Sequence, residues 1–134
     1  MFGEKFIIGK SDGKIDNKNR ISIPSFTYVE VNDGLIIQII DDNDELSLKI
    51  EIFNKYASIL EKLKKLRDNA SSLAEFQRYD KEIEVICQKL DYLVTVDKQK
   101  RILIPISVMK ALNWNSSDYI QCTGLGESLL VRKK

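Results

Sequence analysis

The sequence predicts an α+β fold in which two similar β-rich halves flank a pair of helices. Three observations predict it. A charged decapeptide occurs twice, at residues 15–24 and again at 96–105. Apolar residues recur at three- and four-residue spacing between the copies, the period of an amphipathic helix. Runs such as Leu35-Ile36-Ile37-Gln38-Ile39-Ile40, rich in β-branched side chains, suit a pleated surface and lie outside that middle stretch. At 134 residues, 43% apolar and 31% charged, the chain can bury a core as one domain or two very small ones.

The first half spans residues 1–50. Its decapeptide is Ile15-Asp16-Asn17-Lys18-Asn19-Arg20-Ile21-Ser22-Ile23-Pro24. It reads as a charged turn followed by a short strand that stops at proline. Asn32-Asp33-Gly34 supplies turn chemistry, and a closing strand pair follows, turning at Asp41-Asp42-Asn43-Asp44.

Residues 51–91 form a helical hairpin. Phe53, Tyr56, Ile59, Leu60, Leu63 and Leu66 predict one helix from Glu51 to Leu66. Arg67-Asp68-Asn69-Ala70-Ser71 breaks it. Ser72-Leu73-Ala74-Glu75 reads as a capping box, opening a second helix that runs to about Leu90. Cys87 falls one step off that helix's apolar stripe and reads as packing or surface.

The second half spans residues 92–134 and repeats the first. Val96-Asp97-Lys98-Gln99-Lys100-Arg101-Ile102-Leu103-Ile104-Pro105 keeps Asp, Arg, both isoleucines and Pro at the same spacing. After a two-residue shift, Leu35–Ile39 aligns with Asp118–Cys122, and Leu46–Lys49 with Leu129–Arg132. Gly124-Leu125-Gly126 marks the final turn.

The repeated unit, Asp-x-x-x-Arg, has a physical use. An aspartate at the start of a turn accepts backbone N–H groups and fixes the loop. It can also hold the guanidinium four residues on, and a fixed guanidinium suits a guanine edge or a phosphate. Lys18, Lys98 and Lys100 add positive charge at the loop tips. One such pair alone is usually an ordinary surface ion pair. Its duplication, with the same flanking elements, fits a site of two-fold character.

Composition narrows the function. There is no histidine, which removes the commonest general base and metal ligand. Cys87 and Cys122 form no metal-binding pair. No nucleophile motif or phosphate-cradling glycine loop occurs, so neither catalysis, cofactor nor metal is expected. The acidic run Asp41–Glu45 lacks calcium-loop spacing. Net charge is only +1, so nucleic-acid binding would depend on where the charges sit. The opening residues lack the apolar run of a secretion signal and no stretch has membrane-spanning length, so a cytoplasmic location with reduced thiols is expected.

The motif resembles the hallmark of AbrB-like (SpoVT-AbrB) swapped-hairpin domains, Asp-x-Lys-Gly-Arg followed by an apolar strand and proline. Two copies separated by helices resemble the MraZ family of transcriptional regulators. Met1-Phe2-Gly3-Glu4 is similar to the start of that family, and Leu46-Ser47-Leu48 with the helix carrying Phe53 is similar to its first closing strand and helix. The sequence departs from the pattern at Asn19 and Lys100, where a glycine is usual, and at Gln99, where a lysine is usual.

The resemblance implies two AbrB-like halves interleaved as a pseudo-two-fold barrel. It implies that Arg20 and Arg101 contact double-stranded DNA, with Lys18 as the loop lysine and Lys98 and Lys100 beside it. Asp16 and Asp97 would fix the loops. It further implies a nucleoid-associated repressor that assembles as a ring-like homo-oligomer on tandem DNA repeats, without a membrane partner. Linked subunits could gain roughly 10²–10⁴ in avidity. Two other readings compete: an AbrB-like antitoxin, and a protein-interaction module using the charged helices without DNA.

Overall fold

The first strand of each half pairs with the hairpin of the other half. In the computed structural model, which describes residues 6–42, 44–89 and 92–134, the order is β1 (Phe6–Lys14), β2 (Arg20–Ser22), β3 (Gly34–Asp42), β4 (Glu45–Ile52), α1 (Phe53–Asp68), α2 (Leu73–Lys89), β5 (Leu93–Thr95), β6 (Arg101–Leu103), α3 (Ile106–Leu112), β7 (Tyr119–Gly126) and β8 (Ser128–Lys133). Met1–Glu4, Asn43 and Leu90, used in the sequence reading, lie outside the described residues. The main sheet runs β1-β7-β8-β4-β3-β5, with every pairing antiparallel. Strands β2 and β6 form a separate two-stranded ribbon.

The α+β class therefore holds, but the expected barrel is not closed. Its edges β1 and β5 do not pair with each other. Each edge strand instead turns into its charged loop and passes the chain to the ribbon. The ribbon supplies the lid of the core. Ile21 and Ile102 face each other across it and join Leu35, Ile37, Leu48, Ile50, Ile120, Cys122, Leu129 and Val131 inside. Leu35 and Ile37 of β3, and Leu48 and Ile50 of β4, enter this core at the two-residue period of a strand, while Ile36 and Glu51 between and beyond them are buried as well.

Backbone contacts correct the internal alignment. Ile15 N donates to Asp118 O (3.0 Å), and Val96 N donates to Asp33 O (3.0 Å). Asp33 is thus the counterpart of Asp118, two residues from the position read in the sequence. The closing strands slip the other way. Ile39 pairs with Leu48 as Gly124 pairs with Leu129, so Leu129 corresponds to Leu48 and not to Leu46. A two-residue slip keeps every inward side chain inward, so the apolar pattern does not register it. The second half has α3 where the first has only a turn, closed by Thr27 N on Pro24 O (3.1 Å). Val108, Met109 and Leu112 of α3 are buried at helical spacing, and no such triplet follows Pro24.

Helix α1 begins two residues later than predicted. Glu51 pairs with Ile36 and Ser128, and Ile52 with Leu35, so the sheet claims both. The capping box forms only in half. Ser72 Oγ accepts from Glu75 N (3.2 Å), while the Glu75 carboxylate accepts from Ser71 Oγ instead of the Ser72 backbone. The hairpin is closed by Arg67–Asp80 (2.9 Å). It is anchored to the sheet by Tyr56, whose hydroxyl donates to the buried Glu51 carboxylate (2.6 Å). Burial pushes Tyr56 well above its ordinary pKa, and the Glu51 charge adds to this. Cys87 is exposed on α2 and Cys122 is buried in the core. No helix among the described residues is long and apolar enough to cross a membrane.

Candidate functional site

The two repeated loops share the same set of hydrogen bonds to their aspartate. In the first, Asp16 Oδ1 accepts from Lys18 N (2.9 Å) and Arg20 N (2.8 Å), while Oδ2 accepts from Arg20 Nε (2.7 Å). In the second, Asp97 Oδ1 accepts from Gln99 N (2.9 Å) and Arg101 N (2.9 Å), while Oδ2 accepts from Arg101 Nε (3.2 Å). One carboxylate thus holds both the turn and the guanidinium. These bonds set the carboxyl chemistry. Desolvation pushes Asp16 up, but the N–H donors of Arg20 and Lys18 outweigh it and hold Asp16 below the usual carboxylate range. Asp97 is held low first by the Arg101 backbone N–H, against a smaller desolvation.

The residue before each arginine is left-handed, with φ 61° at Asn19 and 56° at Lys100. Asparagine tolerates this region and lysine does so at a cost of about 1 kcal/mol. The conformation is held from outside the loop. Ile104 N donates to Asn19 O and Ile23 N donates to Lys100 O, each at 2.8 Å, so each loop is pinned by the strand of the other half.

The ribbon brings the arginines together. Arg20 lies opposite Leu103 and Arg101 lies opposite Ser22. These four side chains share the outer face, while Ile21 and Ile102 point inward. Arg20 and Arg101 are therefore diagonal neighbours, with Cα atoms on the order of 7–8 Å apart. Arg101 Nη1 also lies 4.0 Å from Asp16 Oδ2, so one carboxylate faces both guanidinium groups. Each arginine side chain keeps a quarter of its surface exposed. Among the described residues their hydrogen bonds to carboxylate use Nε and none uses Nη.

The structure thus gathers Asp16, Arg20, Asp97 and Arg101 on one rim. Lys18, Lys98 and Lys100 project from the exposed tips of the same loops. The arrangement can present two oriented guanidinium groups and three exposed ammonium groups to an anion or to base edges.

Sequence reasoning missed a second tier beneath the loops. Asp33 Oδ2 accepts from Glu30 N (2.9 Å) and Asp118 Oδ2 from Asn115 N (2.8 Å). Both turns carry a left-handed residue before the aspartate, Asn32 and Ser117. Their carbonyls hold the base of the opposite loop, as described above for Ile15 and Val96. Ser116 Oγ also meets Asn19 Oδ1 (2.8 Å). An Asp three residues after the turn's first residue was the available signal, hidden by the two-residue slip. No group of three His, Cys, Asp or Glu residues that could hold a metal ion occurs among the described residues.

Comparison with known proteins yields little. No family model matches the sequence, and no curated protein matches it. Among solved structures, the chain is similar to "the solution structure of PHS018 from Pyrococcus horikoshii", at 13% identity and a TM-score of 0.43, over 99% of this chain and 94% of that one.

Proposed function

We propose that the chain is a sequence-specific DNA-binding transcriptional regulator of the MraZ type, acting as a repressor on tandem repeats through the Asp16–Arg20 and Asp97–Arg101 loops. The observation that carries this reading is the shared outer face of the β2–β6 ribbon. It sets Arg20 and Arg101 side by side, each aimed by its own aspartate. A two-stranded ribbon fits the major groove of B-form DNA, and an arginine fork pairs with guanine there. The exchange of β1 and β5 between halves supports the further reading of two interleaved AbrB-like swapped hairpins.

The proposed activity is binding, without a reaction or a cofactor. One subunit offers two arginines and three loop lysines, too few for tight specific binding alone. A homo-oligomer, ring-like as in the resembled family, would place several such rims on successive repeats and gain by avidity. The proposed working place is the cytoplasm, on the nucleoid.

A gel-shift experiment with DNA from upstream of the chain's own gene, at two salt concentrations, tests the reading. Retardation that weakens with salt and is lost in Arg20→Ala and Arg101→Ala is expected. Equal retardation by wild type and by the double variant would refute it.

A second reading, a protein-docking module, draws on the helical hairpin. Among its described residues only Tyr56 and Ile83 are buried, and Leu73 is 71% exposed. A stable complex with another protein, together with no DNA retardation at low salt, would favour it.

A further inference from the structure

The pseudo-two-fold relation between the halves holds for the loops and fails for the surfaces beside them. Lys14 directly precedes the first loop, and its counterpart before the second loop is Thr95. Lys133 pairs with Ile120 as Ile52 pairs with Leu35, so a lysine on one flank corresponds to an isoleucine on the other. By the same register Arg132, opposite Gln121, corresponds to Glu51, opposite Ile36. One flank therefore carries Lys14, Arg132 and Lys133 where the other carries Thr95, Glu51 and Ile52, with Asp12 and Asp118 offsetting part of its positive charge.

The lysine-bearing flank is tied to the first loop. Lys133 Nζ reaches Asp118 Oδ2 (3.3 Å), and Asp118 O receives the Ile15 N–H just before the loop. Lys14 Nζ lies 5.5 Å from the centre of the exposed Tyr119 ring. Lys134 N donates to Tyr119 O (2.9 Å), and its Nζ pairs with Asp12 (2.7 Å). All three lysines carry side chains exposed to solvent.

The opposite flank is closed. At Gly34, the counterpart of Tyr119, an added Cβ would sit 3.3 Å from both Leu93 and Phe53. A side chain there would have to push these neighbours aside, and apolar atoms and the start of α1 lie where the other flank shows a tyrosine and lysines.

We propose that a bound duplex lies off-centre, its phosphate backbone held by Lys14, Lys133 and Lys134 beside the first loop only. This rests on the DNA-binding reading above and adds to it. Two loops of equal geometry then meet DNA unequally, and a subunit has one direction along the helix. Phosphate contacts carry no sequence information but fix the orientation in which base contacts are made.

The salt dependence of binding to a mixed-sequence duplex tests this, because each lost phosphate contact lowers the slope of log affinity against log salt by about 0.9. Lys14→Gln combined with Lys133→Gln should flatten the slope by about 2. Lys62→Gln combined with Lys64→Gln, on the helical hairpin, should leave it unchanged. Equal flattening by both pairs would mean that charge acts at large, and would overturn the proposal. An unchanged slope in the flank variant, with discrimination still lost in Arg20→Ala, would overturn the flank alone and leave the DNA reading intact. A wild-type protein that binds no duplex at low salt would remove the DNA reading itself.

Discussion

The loops at 16–20 and 97–101 reach one geometry with different residues. Both use an aspartate to hold two backbone N–H groups and an arginine Nε. The first places Asn19 in the left-handed position and the second places Lys100 there. Their roles also differ. Asp16 faces Arg20 at 2.7 Å and Arg101 at 4.0 Å, whereas Asp97 forms an ion pair with Arg101 alone among the described residues. The loop shape is thus set by the aspartate and by carbonyl acceptors in the other half, and the left-handed residue adapts to it. The first loop is the electrostatic hub, and the second carries the backbone strain.

The largest expected effect tests the symmetry beneath the loops. Ile21 and Ile102 face each other, each 1% exposed. Ile21→Ala and Ile102→Ala should each destabilise the fold by about 2–5 kcal/mol in denaturant unfolding. Costs that differ by more than half of that range would break the equivalence.

Binding comes next. Arg20→Ala and Arg101→Ala should each abolish discrimination between a target repeat and mixed-sequence DNA, a loss of about 1–3 kcal/mol per contact. Circular dichroism should be unchanged. Lys18→Ala should weaken binding to all sequences and flatten its salt dependence.

The aspartates sharpen the contrast between hub and satellite. Asp16→Ala should lower DNA affinity more than Asp97→Ala, since it releases Arg20 and uncovers Arg101. Amide exchange should quicken in both loops for the first variant and only in residues 97–101 for the second. The reverse order would place the hub in the wrong loop.

Smaller effects follow from strain and charge. Lys100→Asn should stabilise the fold by up to about 1 kcal/mol, and Asn19→Lys should destabilise it by a similar amount. Matching stabilities would show that the left-handed position carries no cost. Both loop carboxyls are held low in the folded chain. Their contribution is full above the unfolded value of about 4 and fades as pH falls through the lower folded values. Carbon-detected titration of Asp16 and Asp97 should give midpoints below that value. A midpoint at or above it in either residue would contradict the hydrogen bonding described.

The loops were legible in the sequence because Asp, Arg and Pro recur at fixed spacing, and side-chain identity there dictates the turn. Helix α2 was legible from its period and from Ser72. The partner of each strand was not. β1 has the same alternation whether it joins β3 or β7, so the exchange between halves leaves no mark in the pattern. The open edges of the sheet were hidden for the same reason. Glu51 and Ile52 read as helix because strand pairing, a non-local effect, overrides local period. The second tier, Asp33 and Asp118, was obscured by slips of two residues that preserve burial. The uneven flanks became visible only when the register set Lys133 against Ile52 and Arg132 against Glu51.

Comparing the affinity of Arg20→Ala, Arg101→Ala and the double variant for upstream DNA and for mixed-sequence DNA tests the rim most directly. On the proposed reading, in which the two guanidinium groups act as one rim, each single variant should fall to the mixed-sequence level and the double variant should fall no further. A folded double variant that still prefers the upstream DNA as wild type does would contradict the account.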